Sequence, residues 1–218
     1  RSMTVSAPIT LNPYFYSKLP YDPVRDFAPV ALAGVINAVF VAHPSVPVNT
    51  LPEVIALTKA KPDSIRYGSW GIGSFPDLYR AWLEKEQGAQ FQHIPYKEIS
   101  QVLSSVVTGD VQVLLNTPGL MTPLVKAGKL KVLAAIGTKR LPQFPDAPSF
   151  RELGYDLDFL GWTGAFAPAG TPRDIVLRLN KEMNALLVEP AFVAKYMTAQ
   201  SMDPRPGTPE EFAAFIRR

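Results

Sequence analysis

The sequence predicts an α/β fold, and three observations carry that expectation. Apolar runs rich in Val, Ile and Ala recur along the chain, as in strands buried on both faces. Between them lie stretches whose apolar residues repeat every three or four positions, the mark of amphipathic helices. Glycine or proline punctuates the junctions at close spacing. Strand, helix and strand therefore follow one another as in a parallel sheet with right-handed crossovers.

Taken in order, residues 3–9 read as a strand, followed by a turn at Asn12-Pro13 and an irregular stretch to Pro29. Residues 30–42 form one apolar run and are expected to be a single strand buried on both faces. Residues 52–60 read as a helix with Val54, Ile55 and Thr58 in a short stripe. The extended run Ser64-Ile65-Arg66-Tyr67 enters the segment Tyr67-Gly68-Ser69-Trp70-Gly71-Ile72-Gly73-Ser74, and a helix from Phe75 to about Gln87 leaves it, closed by Gly88. Residues 91–94 are a short strand. Ile99, Val102, Leu103, Val106 and Val107 then mark a helix ended by Gly109.

Residues 111–115 are a further strand, Asn116-Thr117-Pro118-Gly119 turns into a helix ending at Gly128, and residues 130–136 are a strand again. After a proline-rich loop, Ser149-Phe150-Arg151-Glu152 has the capping-box pattern of a short helix. Residues 157–166 read as a long apolar strand containing Trp162. Thr171-Pro172-Arg173-Asp174 supplies an N-cap, a first-turn proline and an acid to a helix whose core face is Ile175, Val176, Leu179, Met183, Leu186 and Leu187. A helix is expected over 190–200, and Thr208-Pro209-Glu210-Glu211 opens a last one.

Composition narrows the function classes. The chain is 47% hydrophobic and 19% charged, ordinary for a folded domain and unlike a disordered segment. No apolar run approaches the ~20 residues that span a bilayer, and Arg1-Ser2-Met3 opens onto a strand-like segment rather than a secretory signal. Without cysteine there is no disulfide, thiolate nucleophile or sulfur-ligated metal. The net charge of +3 is small. The densest basic stretch, Lys126 to Arg140, is interrupted by an apolar strand, so it reads as a solvated face rather than a nucleic-acid surface.

Signatures of chemistry are sparse. His43 and His93 stand 50 positions apart, outside any metal-ligand pattern, and His93 reads as a strand-end residue bonded to main chain. There is no G-x-S-x-G elbow and no G-x-x-x-x-G-K-[ST] loop. Gly71-Ile72-Gly73 could begin a dinucleotide fingerprint, but the third glycine would fall at Pro76. No cofactor and no metal are expected. No nucleophile–base pair is visible; an enzyme would need a general base, and Asp77, His93 and Glu98 are the only plausible ones.

The glycine segment carries the most information. Its glycines let main chain approach a ligand, Ser69 and Ser74 add hydroxyls, and free N–H groups at the following helix start attract an anion. A tight strand-to-helix turn with Ser74 as N-cap explains the same residues. Asp77 stands three residues after Ser74. It completes a capping box in one reading and pairs with a cationic or hydroxyl group of a ligand in the other. Trp70 is either a cleft wall or a buried plug, Trp82 reads as core, and Trp162 either lines a hinge or packs.

Six motifs occur in order over nearly the whole chain: Leu19-Pro20-Tyr21-Asp22-Pro23-Val24-Arg25-Asp26-Phe27, the glycine segment, His93-Ile94-Pro95-Tyr96-Lys97, Ala127-Gly128-Lys129-Leu130, the stretch from Gly161 to Pro172, and Thr208-Pro209-Glu210-Glu211-Phe212. The set resembles the Bug/TctC family, extracytoplasmic solute receptors of tripartite tricarboxylate transporters. That resemblance implies a two-lobed periplasmic-binding-protein fold of type II, with residues 1–37 and 157–218 in lobe 1 and 38–156 in lobe 2. It implies a periplasmic receptor, not an enzyme, that closes on a small carboxylate by hinge motion and delivers it to a membrane permease. The implied ligand residues are Ser69, Trp70, Gly71, Gly73, Ser74 and Asp77, with Ser6, Ala7 and Thr10 in lobe 1 and Asn116 and Thr117 at another strand end. The family's first strand and proline–glycine ligand loop are expected upstream of Arg1. Relatives usually carry His where this chain has Asp77, and Gly where it has Glu98. An enzyme acting on a small carboxylate, or a receptor feeding a signalling partner, are the alternative readings.

Overall fold

The computed structural model describes residues 2–15, 18–157 and 161–217. The chain divides into two compact units, one made of Arg1–Ile36 with Leu160–Arg218 and the other of Asn37–Phe159.

The first unit opens with β1 (Ser2–Val5), α1 (Ser6–Thr10) and α2 (Asn12–Phe15). The strand expected over 3–9 therefore stops at Val5, and the turn expected at Asn12-Pro13 is helical. Pro8 falls in the first turn of α1, where a missing N–H forfeits no hydrogen bond, and Thr10 Oγ1 donates back to Ser6 O at 2.9 Å. The apolar run 30–42 is two strands, β2 (Phe27–Ile36) and β3 (Val39–Ala42), parted by Asn37 and Ala38. An apolar run records burial, not partner, and these strands pair in different sheets.

In the second unit α3 (Leu51–Ala60) starts at a complete Thr50–Glu53 capping box. There follow β4 (Arg66–Ser69), α4 (Phe75–Gln87), β5 (Gln92–Pro95), α5 (Ile99–Thr108), β6 (Val113–Asn116), α6 (Pro118–Lys126) and β7 (Lys131–Ala135). The sheet order is β5-β4-β6-β3-β7. Among the described strands of this sheet, only the β5–β4 and β4–β6 pairings are parallel; β3 runs antiparallel between β6 and β7, so the parallel sheet expected from alternation is realised in part. An aromatic core fixes α4 on this sheet. Phe40 stacks on Phe150 at 5.6 Å, both fully buried, and Tyr67 and Tyr79 meet Phe40 edge-on. Ser149 and Glu152 make their capping-box bonds, yet the chain there only turns.

The first unit resumes with β8 (Gly161–Pro168). Of the strand expected over 157–166, residues 158–160 lie outside the described residues. The sheet order is β1-β8-β2-β9, antiparallel throughout, which the alternation argument did not anticipate. Helix α7 (Arg173–Leu187) takes Pro172, not Thr171, at its N-cap, because the Thr171 hydroxyl donates to Pro168 O at 2.8 Å and closes the turn after β8. The helix expected over 190–200 is a single α-turn, α8 (Pro190–Phe192), then a π segment over Val193–Met197 and a 3-10 turn over Thr198–Gln200. Phe192 and Met197 stand five positions apart and pack with Ala33 and Leu187, a spacing that suits the wider π turn. β9 (Met202–Pro204) and α9 (Pro209–Ile216), the latter on a complete Thr208–Glu211 capping box, end the chain's elements.

Trp162 packs as core, 3% exposed, with Phe166, Phe212 and Phe215 around it. Across the sheet Asn180 donates to Val30 O and Gly207 O, each at 2.8 Å, from a site only 8% exposed. Asn180→Ala is expected to leave a buried carbonyl of β2 without its donor and to cost about 1–3 kcal/mol, read as a lower urea midpoint.

Candidate functional site

Strands β5, β4 and β6 run in one direction, so Pro95, Ser69 and Asn116 end at one edge of the sheet. Ligands of open α/β sheets gather at such carboxyl ends. The glycine loop leaves β4 there and reaches α4 in five residues.

Gly71 and Gly73 have φ of 117° and 75°, values that a side chain strains to adopt, which is why glycine stands at both. The loop is stitched internally. Gly71 N–H donates to Ser69 Oγ at 3.3 Å, Ser74 N–H to Gly71 O at 3.2 Å, and Gly73 N–H to Asp77 Oδ2 at 2.8 Å. The amides of Gly71, Gly73 and Ser74 are thus engaged within the loop. No partner among the described residues takes the Trp70 or Ile72 N–H. Ile72 stands 85% exposed at the tip, and Trp70 lies half-buried against the cluster of Val39, Val102 and Met121.

Ser74 is the N-cap residue of α4 but makes no capping bond; its hydroxyl donates to Gly71 O at 2.6 Å. The capping box expected of Ser74 and Asp77 is therefore absent. Asp77 instead reaches back one residue further, to Gly73. Its other oxygen accepts from Arg80 Nε at 3.0 Å and Nη2 at 2.7 Å, and Arg80 Nη1 continues to Glu84. At 6% exposure this carboxylate is held inside the protein rather than offered to solvent. Arg80 neutralises it, so the start of α4 is not opposed by a bare negative charge.

His93, expected to bond main chain, instead places Nε2 2.7 Å from Ser69 Oγ and 3.6 Å from Asp77 Oδ1. Burial, and then the positive charge of Arg80, lower its pKa. Ser69 and His93 form a hydroxyl–imidazole contact that was not expected. Ser69 is fully buried, however, and the carboxylate approaches the same ring nitrogen as the hydroxyl. That arrangement shapes a loop; it does not present a nucleophile with an oriented base. Tyr67 anchors the other side, its buried hydroxyl donating to Pro76 O at 2.9 Å, and burial drives its pKa well up.

At the end of β6, Asn116 is 2% exposed. Its Oδ1 accepts from Thr117 N–H at 2.7 Å, and its Nδ2 has no partner among the described residues. Thr117 is the N-cap residue of α6 without a side-chain capping bond. Ser69, Trp70, Gly71, Gly73, Ser74, Asp77, Asn116 and Thr117 thus share one edge of the second unit. Ser6, Ala7 and Thr10 belong to α1 of the first unit, with the Thr10 hydroxyl spent on Ser6 O; the Ala7 side chain lies outside the described residues. Glu98 is the exposed N-cap residue of α5. Trp82 packs on Phe150 and Tyr155. Arg80 and Glu84 were missed, although their i+3 and i+4 spacing from Asp77 and Arg80 was visible. The Ser69–His93 contact joins neighbouring strands across 24 positions and had no local signal.

The family model described as tripartite tricarboxylate transporter family receptor matches residues 2–218. BugT of Bordetella pertussis is 30% identical over 97% of this chain and 65% of its own length. The chain spans 56% of the length of a curated relative from Pseudomonas sp. strain P51. Among solved structures, Rpa4515 of R. palustris with adipate superposes at a TM-score of 0.84, 25% identity, over 99% of this chain and 72% of that one. MatC of Rhodopseudomonas palustris with bound malate gives 0.79 and 26%, over 99% and 74%.

Proposed function

We propose that this chain, which belongs to the tripartite tricarboxylate transporter receptor family, binds a small carboxylate in the periplasm and serves a membrane permease. Relatives solved with adipate and malate support the ligand class. The observation that carries the reading to particular atoms is the pair of uncommitted N–H groups at Trp70 and Ile72, set beside the start of α4 on a loop whose other amides are tied down. Two such N–H groups next to a helix N-terminus can both donate to an anionic oxygen. The exposed Ile72 side chain offers apolar contact to a ligand's carbon chain.

Isothermal titration of the chain with malate, adipate and a panel of mono- and tricarboxylates tests this. Saturable binding of at least one is expected. Gly71→Ala is expected to weaken it about tenfold or more, near 1.4 kcal/mol, because the strain of φ 117° shifts the loop. The added methyl itself has room, the nearest heavy atom being Tyr96 O at 3.9 Å. A folded chain that binds none of the panel overturns the reading. Turnover of a bound acid would favour an enzyme, and co-purification with a signalling protein instead of a permease would favour a sensor.

A further inference from the structure

We propose that His93 is a positioning residue: through the Ser69 hydroxyl and the Asp77 carboxylate, its Nε2 sets the shape of the Trp70–Gly73 main chain according to whether it carries a proton. The proposal rests on reading that main chain as the carboxylate site.

Ser69 Oγ lies 2.7 Å from His93 Nε2, 3.2 Å from Gly71 O and 3.3 Å from Gly71 N. A hydroxyl has one proton to give. In the neutral ring with its proton on Nδ1, Nε2 is bare, and Ser69 donates to it and keeps its lone pairs for the Gly71 N–H. With Nε2 protonated, the imidazole donates to Ser69, competes with the Gly71 N–H for that oxygen, and turns the Ser69 proton toward Gly71 O. That carbonyl already receives the Ser74 hydroxyl and the Ser74 N–H. Gly71 is thus loosened at its N–H and drawn at its carbonyl.

The same nitrogen governs the second anchor. Asp77 Oδ1, 3.6 Å from Nε2, is the oxygen that Arg80 holds, while Oδ2 holds the Gly73 N–H. An imidazolium competes with Arg80 for Oδ1 and draws the carboxylate that fastens Gly73. One protonation therefore reaches both fastenings of the loop, on either side of Ile72. Among the described residues, the charged groups acting on the ring are Asp77, Arg80 and Glu84, all on α4; β4 contributes the neutral Ser69.

Burial and Arg80 favour the neutral ring, and the two carboxylates oppose them less strongly. The sign follows from linkage. The unfolded chain takes up the proton near pH ~6.5 and the folded chain only at lower pH. The stability contributed by neutral His93 is complete above that value, falls as pH drops through the window, and falls no further below the folded pKa.

The test is NMR of the ligand-free chain, following the His93 ring and the Gly71 and Gly73 amides against pH. Both amides are expected to shift with the midpoint of His93 itself, below that of an ordinary histidine. In His93→Gln, which keeps a neutral hydrogen-bonding side chain, the step is expected to vanish while the fold remains. Amides that stay still while His93 titrates overturn the proposal, as does a step that persists in His93→Gln. Wild-type chain alone decides the first point, should the variant fail to fold. Malate affinity is expected to change about fivefold or more across the same window in wild type and not in His93→Gln. If malate and adipate do not bind at all, the reading of the site fails, and the amide shifts still decide the role of His93.

Discussion

Phe212→Ala is expected to lose about 3–5 kcal/mol of stability, the cost of removing a buried phenyl ring. Phe212 is 1% exposed and lies 5.3 Å from Trp162 and 5.1 Å from Phe166, ring centre to ring centre. It reaches the β8 backbone because residue 164 is glycine: a Cβ there would strike the Phe212 ring and come within 3.2 Å of Ala31 O. Gly164→Ala alone is accordingly expected to cost about 1–3 kcal/mol by overpacking. The pair should not add. In a Phe212→Ala background the new methyl enters the space the ring has left, so Gly164→Ala is expected to be close to neutral. Urea unfolding read by tryptophan fluorescence on the four proteins of the cycle measures this. Additive losses would show that ring and glycine are not in contact.

Asp77→Ala is expected to cost about 2–4 kcal/mol, because it strips a partly buried Arg80 of its carboxylate and leaves the Gly73 N–H unanswered. The figure lies toward the low end for a broken buried pair, since Arg80 keeps Glu84 and some water. Removing the cation as well should recover part of the loss, so Asp77→Ala with Arg80→Met is expected to be more stable than Asp77→Ala alone. Because the carboxylate is spent inside the protein, Asp77→Asn is expected to weaken acids generally without changing the ranking of malate against adipate. A changed ranking in titration calorimetry would place Asp77 on the ligand.

The helices around the sheet of the second unit were readable because their signals are local. Gly88 and Gly109 both end helices in the left-handed conformation, and in the first unit Thr208 with Glu211 begins one, all within a few residues. What could not be read is pairing. Residues 30–42 are uniformly apolar, and nothing in them says that Ile36 faces β8 and β9 while Val39 faces β6 and β7. The glycine loop was recognised from residue types, but its use of hydrogen bonds was not. The Ser74 hydroxyl gave its proton to Gly71 O, and Asp77 bypassed the N-cap for Gly73. Such choices turn on tenths of an ångström, set by neighbours such as Arg80 and Tyr67. The carboxylate proposal came from family likeness, since no single residue declares a ligand class.

The interruption of the first unit by the second bears on the order of assembly. Phe27 of β2 stands opposite Pro168 of β8, 141 positions later (168 minus 27). Tyr67 and His93, by contrast, meet across 26 (93 minus 67). During vectorial synthesis β2 emerges early and waits, its apolar residues unclaimed, until β8 has left the ribosome. Short-range pairings around β4 close first, since loop entropy grows with the length to be closed. Until translation passes Pro168, the nascent β2 is a bare edge open to a chaperone or to another copy of itself.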